Sequence, residues 1–293
     1  MAWCSGHHLA AAVSEAGGLG LLGAGSMSPD VLREHIRKTK SATSKPYGVN
    51  LPLAFGNTEE NIRVIMEERV PIVFTSAGNP KTYTSTLKEA GIKVVHVVSS
   101  SRFAVKAEEA GVDAVVAEGF EAGGHNGREE TTTLCLVPSV VKSVSIPVIA
   151  AGGIASGAAI AAMFCLGALG VQIGTAFALT SESSAHLRFK EYCVSLGEGD
   201  TQLLYKAVSP TRLVKGPYFD LIKEAEARGA DADELRAIRG IGRARQGMFE
   251  GDLEHGELEM GQVLSEVSEI RSVSDLMKEL VQDYWDTVER LDG

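Results

Sequence analysis

Ten residues, Glu118-Gly119-Phe120-Glu121-Ala122-Gly123-Gly124-His125-Asn126-Gly127, set a titratable imidazole among four glycines. Such a cluster gives up side-chain burial, so it implies positive φ angles or close approach of backbone to a ligand, with Gly123 and Gly124 at its centre. His125 could be a base or a hydrogen-bond donor; its alternative is a satisfied structural histidine. Glu118 could fix a ligand hydroxyl or ring N–H, or cap the turn after it. Two further loops, Gly152-Gly153 and Gly174-Thr175, have the form of a phosphate cradle, in which backbone N–H groups face an anion. A tight βα turn is the plainer reading of Gly152-Gly153. Asn50 ends an apolar run with a polar side chain, and Ser76-Ala77-Gly78-Asn79-Pro80 forms a similar loop after the next run.

Chemistry of this kind needs elements that bring distant loops to one mouth. Apolar runs at Leu19–Gly23, Tyr47–Asn50, Ile72–Thr75, Val94–Val98, Ala114–Ala117, Val148–Ala150 and Val171–Ile173 read as buried strands. Helix-period segments lie between them, at about 31–41, 59–69, 81–90, 101–110, 134–144 and 156–166. Gly91, Gly111 and Gly167 stand where C-caps would end three of these helices. Strict β–α alternation with fully apolar strands predicts a parallel sheet covered by helices. Glycine loops late in the series favour a TIM (β/α)8-type barrel over an open doubly wound sheet. Seven strands is one fewer than eight. The chain opens on a helical segment at Leu9–Ala16, as a chain does just after a first strand, so the expected barrel lacks that strand. The predicted division is a barrel over 1–180 and a small C-terminal helical cap over 181–293, with helices near 218–228, 231–245 and 274–291.

The net charge of −10 sits almost wholly in the second part. Residues 1–180 carry 14 basic and 15 acidic side chains, and residues 181–293 carry 14 and 23. That balance argues against nucleic-acid binding, which needs a basic footprint. No apolar run reaches the roughly 20 residues of a membrane helix. Four cysteines show no paired spacing, and no basic-then-apolar leader opens the chain, so the expectation is a cytoplasmic protein with free thiols. His96 lies within an apolar strand and reads as a core histidine, and His7-His8 and His35 lack partners at ligand spacing, so no metal is expected. Arg236, Arg239, Arg243 and Arg245 form a basic run that either pairs with the tail's own carboxylates or docks an acidic partner.

With these residues in place, the chain resembles the flavin-dependent nitronate monooxygenase (2-nitropropane dioxygenase-like) superfamily. Within it, the likeness is greatest to the flavin-type enoyl-acyl-carrier-protein reductases. Met1-Ala2-Trp3, Ala16-Gly17-Gly18-Leu19-Gly20, Pro46-Tyr47-Gly48-Val49-Asn50, Ala117-Glu118-Gly119, Gly123-Gly124-His125, Ala150-Ala151-Gly152-Gly153-Ile154 and Val171-Gln172-Ile173-Gly174-Thr175 carry it. The resemblance implies FMN at the barrel mouth, its phosphate on Gly152, Gly153, Gly174 and Thr175. Met1, Ala2, Asn50, Glu118 and Gln172 would border the cofactor, and His125 would sit by the substrate. It implies reduction of a trans-2-enoyl thioester with NADH or NADPH, with acyl carrier protein as the partner that brings the chain; a homodimer is left open. The other activity in the superfamily is oxidation of alkyl nitronates with O2, where Gln more often replaces the glutamate of Ala117-Glu118-Gly119.

Overall fold

The alternation becomes, in a computed structural model describing residues 1–54 and 56–292, one curled parallel sheet with helices on its outside. Strands β1 (Gly20–Gly23), β2 (Tyr47–Pro52), β3 (Ile72–Ser76), β4 (Lys93–Val98) and β5 (Ala114–Glu118) follow one another in the sheet. A two-residue strand, β6 (Gly124–His125), stands apart from it, and β7 (Val148–Ala151) and β8 (Gly170–Gln172) complete it beside β5. All seven expected strands are present, each within a few residues of its expected span. β1 and β8 are the sheet's two edges.

Helix α1 (His7–Glu15) precedes β1, and α2 (Pro29–Ala42), α3 (Thr58–Glu67), α4 (Thr84–Glu89), α5 (Ser101–Glu109), α6 (Thr133–Val141) and α7 (Gly157–Cys165) alternate with the strands. Local chemistry sets their ends. Ser28, Ser100 and Ser156 accept N–H bonds at the starts of α2, α5 and α7, with Pro29 in the first turn of α2. Gly91, Gly111 and Gly167 close α4, α5 and α7 at positive φ, the C-caps that the sequence predicts.

The strands' period of two separates two apolar layers. Val49, Val73, Val94, Val115 and Val148 belong to the main core beneath the helices. Phe74, Val95, Ala114, Val116 and Ala151 form a second cluster inside the curl. His96 is buried among the outward set, its Nδ1 2.7 Å from Thr75 Oγ1, and burial lowers its pKa to about 4. It is a neutral core histidine.

Beyond β8 come α8 (Thr175–Ala178), α9 (Leu187–Val194), α10 (Pro217–Ala227), α11 (Ala232–Arg239) and the long α12 (Val273–Asp292). The region also holds β9 (Thr201–Leu204) and β10 (Thr211–Val214), in a stretch the sequence reads as helices and loops. β10 is buried along its whole length, so it shows no alternation to read. It pairs antiparallel with β9 and with the distant β6, Thr211 opposite His125 and Arg212 opposite Gly124. The segment expected to be helical over 231–245 stops at Arg239, because Gly240 and Gly242 take positive φ. Helix α12 returns to the barrel: Asp283 Oδ2 accepts the Ala158 N–H at 3.0 Å, and the Gly157 backbone lies against that of Tyr284. No helix of the described residues is long and apolar enough to cross a membrane.

Candidate active site

Toward the C-terminal ends of the strands several inward positions are polar, where those below are apolar. Asn50 faces inward two residues before the end of β2, Ser76 ends β3, and Glu118 of β5 lies in one row with Ala151 of β7 and Gln172 of β8. All of them line a cavity of about 1970 Å³ above the apolar cluster. The floor is set by packing, and the rim carries the chemistry.

Met1 and Ala2 line the same cavity. The N-terminal turn is fixed by the Gly23 N–H, which donates to Ser5 O at 2.9 Å, and a Cβ on Gly23 would come within 2.5 Å of the Met1 carbonyl oxygen. That close approach requires glycine at the end of β1.

Gly152, at φ +96, and Gly153, at φ +70, follow β7, and Gly174 and Thr175 follow the adjacent β8. Among the described residues, the backbone N–H groups of these four meet no protein acceptor. Unpaired N–H groups on converging loops are what a phosphate requires. A Cβ built on Gly174 would meet only the Met1 side chain, at 3.9 Å, so the space before it is open. Gly152 is different: its Cβ would fall 2.8 Å from Gly119 O, which makes it a packing glycine. Thr175 Oγ1 also accepts the Gly261 N–H at 3.0 Å, tying the loop to the tail.

His125 opens into the cavity from β6. Desolvation inside the cavity lowers its pKa, helped by the nearby Arg239 charge and opposed by Glu257. Gly123 and Gly124 carry it, and their requirement for glycine comes from the tail as well as from the cavity. A Cβ on Gly123 would lie 2.5 Å from the Met260 carbonyl carbon, and one on Gly124 would lie 2.7 Å from Glu259 Oε2. Burial pushes the Glu118 carboxyl up to about 7, leaving it close to half protonated at neutral pH.

Five charged side chains that the sequence does not place in the site join it from the tail: Arg239, Arg243, Arg245, Glu257 and Glu259 all line the cavity. Arg239 donates to Glu257 from Nε at 3.0 Å and from Nη2 at 2.5 Å, and its guanidinium lies 5.0 Å from the Tyr205 ring centre. Burial and the adjacent Glu259 push the Glu257 carboxyl well above its ordinary range. The available signal was Glu257-Leu258-Glu259, two carboxylates on one side of an extended segment. The other arginines of the basic run are engaged within the tail. Arg236 pairs with Asp233, Arg245 with Glu250, and Arg243 donates to the His255 carbonyl. Among the described residues no group of His, Cys, Asp and Glu could hold a metal ion.

A model of the nitronate monooxygenase family matches residues 1–283. The chain belongs to that family. Nitronate monooxygenase family members are flavin-dependent oxidoreductases, and the cradle and polar rim described above fit FMN. Over its full length the chain is 43% identical to FabK from Thermotoga maritima, covering 93% of that chain with a TM-score of 0.95. Against nitroalkane oxidase from Streptomyces ansochromogenes it is 28% identical, with 99% of this chain and 95% of that one covered and a TM-score of 0.86. A curated relative from Rhodococcus jostii, (3aS,4S,5R,7aS)-5-hydroxy-7a-methyl-1-oxo-octahydro-1H-indene-4-carboxyl-CoA dehydrogenase, is 30% identical over all of this chain and 92% of its own length.

Proposed function

We propose that this flavoprotein reduces trans-2-enoyl thioesters with NADH or NADPH, as an enoyl-acyl-carrier-protein reductase. The observation that carries the reading is the likeness to FabK, whole-chain at 43% identity, against 28% for the nitroalkane oxidase. Glu118 in Ala117-Glu118-Gly119 adds to it, standing where nitronate oxidisers more often have Gln.

FMN, when bound, supplies the passage of hydride from nicotinamide to substrate. The chain's own residues do the rest. Gly153, Gly174 and Thr175 hold the phosphate through their unpaired N–H groups, with Gly152 keeping the loop in shape. Asn50, Glu118 and Gln172 orient the polar edge of the cofactor from β2, β5 and β8. The apolar cluster below excludes water. His125, facing the cavity, donates its N–H to the thioester oxygen as charge develops there.

The test follows NAD(P)H oxidation by flavin-loaded protein under anaerobic conditions, with and without crotonyl-coenzyme A. Thioester-dependent oxidation yielding butyryl-coenzyme A supports the reading. Alkyl nitronate consumption with O2, and none of NAD(P)H, selects nitronate oxidation instead.

A further inference from the structure

Arg239 has five N–H groups, and Glu257 accepts only those directed along the Nε–Nη2 edge. Among the described residues, Nη1 has no protein acceptor. The guanidinium cannot turn to find one. Glu257, whose side chain is 1% exposed, grips one edge, and the Tyr205 ring supports one face. Tyr205 is in turn fixed by a 2.6 Å hydroxyl contact with the buried Tyr218. Arg239 itself stays one-fifth exposed, and it lines the same cavity as His125. A planar cation held from behind with one edge open is built to receive an oxygen.

We propose that Arg239 is a catalytic residue alongside His125, presenting the open edge of its guanidinium to the substrate oxygen on which negative charge develops. This rests on the enoyl-reductase reading for the identity of that oxygen. Hydride from the nicotinamide-reduced cofactor adds its electron pair to the β-carbon. The carbon–carbon π pair then shifts toward the carbonyl, and the thioester oxygen takes the charge of the enolate. Arg239 and His125 hold that oxygen by hydrogen bonds until the α-carbon accepts a proton from solvent. Glu257 is the positioning residue, and it partly offsets the arginine's charge.

The probe is acetoacetyl-coenzyme A, an enolisable thioester whose enolate band in the ultraviolet reports binding without turnover. Added to the flavin-loaded wild type, it is expected to bind as the enolate. Glu257→Gln, which leaves Arg239 charged with only Glu259 to offset it, should bind the enolate more tightly. The paired change Arg239→Gln with Glu257→Gln strands no buried charge. It should weaken enolate binding at least about tenfold and cut kcat for crotonyl-coenzyme A by about 10²–10³, the usual cost of one oxyanion donor, at unchanged flavin content. Equal enolate binding by wild type and paired variant overturns the proposal. Should the paired variant lose flavin, the single Glu257→Gln decides: unchanged or weaker enolate binding overturns the assignment, and tighter binding sustains it. Arg239-dependent enolate binding in a protein that does not turn over crotonyl-coenzyme A would leave this inference standing and remove the reductase reading.

Discussion

Glu118 owes its chemistry to burial, and His125 owes its chemistry to its place in the glycine loop at the cavity. The glycine loop shapes the backbone and the imidazole supplies the donor, so His125→Ala should keep flavin and cut turnover by about 10²–10⁴. Steady-state rates at matched flavin content check this, and an unchanged rate would contradict it. Glu118 has a folded-state pKa raised from 4.5 to about 7 by burial. The folded state therefore holds the proton more tightly than the unfolded one. The stabilisation is complete below about pH 4.5 and is lost as pH rises through about 7. Glu118→Gln should flatten part of that decline in Tm, with Glu257 contributing the remainder. Thermal melts of both proteins between pH 4.5 and 8 measure it, and parallel curves would contradict the burial of the charge. The sequence made Glu118 and His125 legible because they stand at a strand end and in a glycine loop. Arg239 was visible only as one of a basic run, because its partner Glu257 lies 18 residues on and meets it through a fold rather than a repeat.

The elements divide the glycines into two kinds that look alike in the sequence. Gly174 faces open space, so Gly174→Val should strip flavin while leaving the apoprotein's Tm nearly unchanged. Gly152 combines φ +96 with a contact to Gly119 O, so Gly152→Val should lower Tm as well. Flavin absorbance after gel filtration, together with melts of both apoproteins, separates the two. The parallel strands could be read from apolar runs and their glycine C-caps because each is local in its signal. β9 and β10 could not: four residues each, with β10 wholly buried, they are defined by a pairing that joins residue 211 to residue 125. That pairing holds His125 in place. Leu213→Ala, at a site 1% exposed, should cost about 2–5 kcal/mol of stability and lower kcat through the loosened β6. A denaturant titration and rate measurement on the same sample test both halves.

At the scale of the molecule, a barrel supplies a fixed mouth and the tail closes one side of it. Gly261 bonds to Thr175, Glu259 lies against Gly124, and Arg239 faces the cavity, so the acidic tail is part of the site. With a net charge of −10 and three of the four clustered arginines already paired, an acidic carrier would find little free positive surface on the run. Reversing Arg236 and Arg245 to Glu should then change kcat/KM for carrier-bound and coenzyme A-bound enoyl substrates alike across ionic strength. A loss confined to the carrier substrate at low salt would show that the run docks it. The central claim is that this barrel mouth passes hydride from nicotinamide to an enoyl thioester. The most direct measurement is anaerobic mixing of flavin-loaded protein with NADH or NADPH, followed by crotonyl-coenzyme A, while the flavin absorbance is recorded. The predicted result is bleaching by nicotinamide and recovery on adding the thioester, with one butyryl-coenzyme A formed per flavin reoxidised. Flavin that stays oxidised with both nicotinamides, and is bleached instead by an alkyl nitronate, would contradict it.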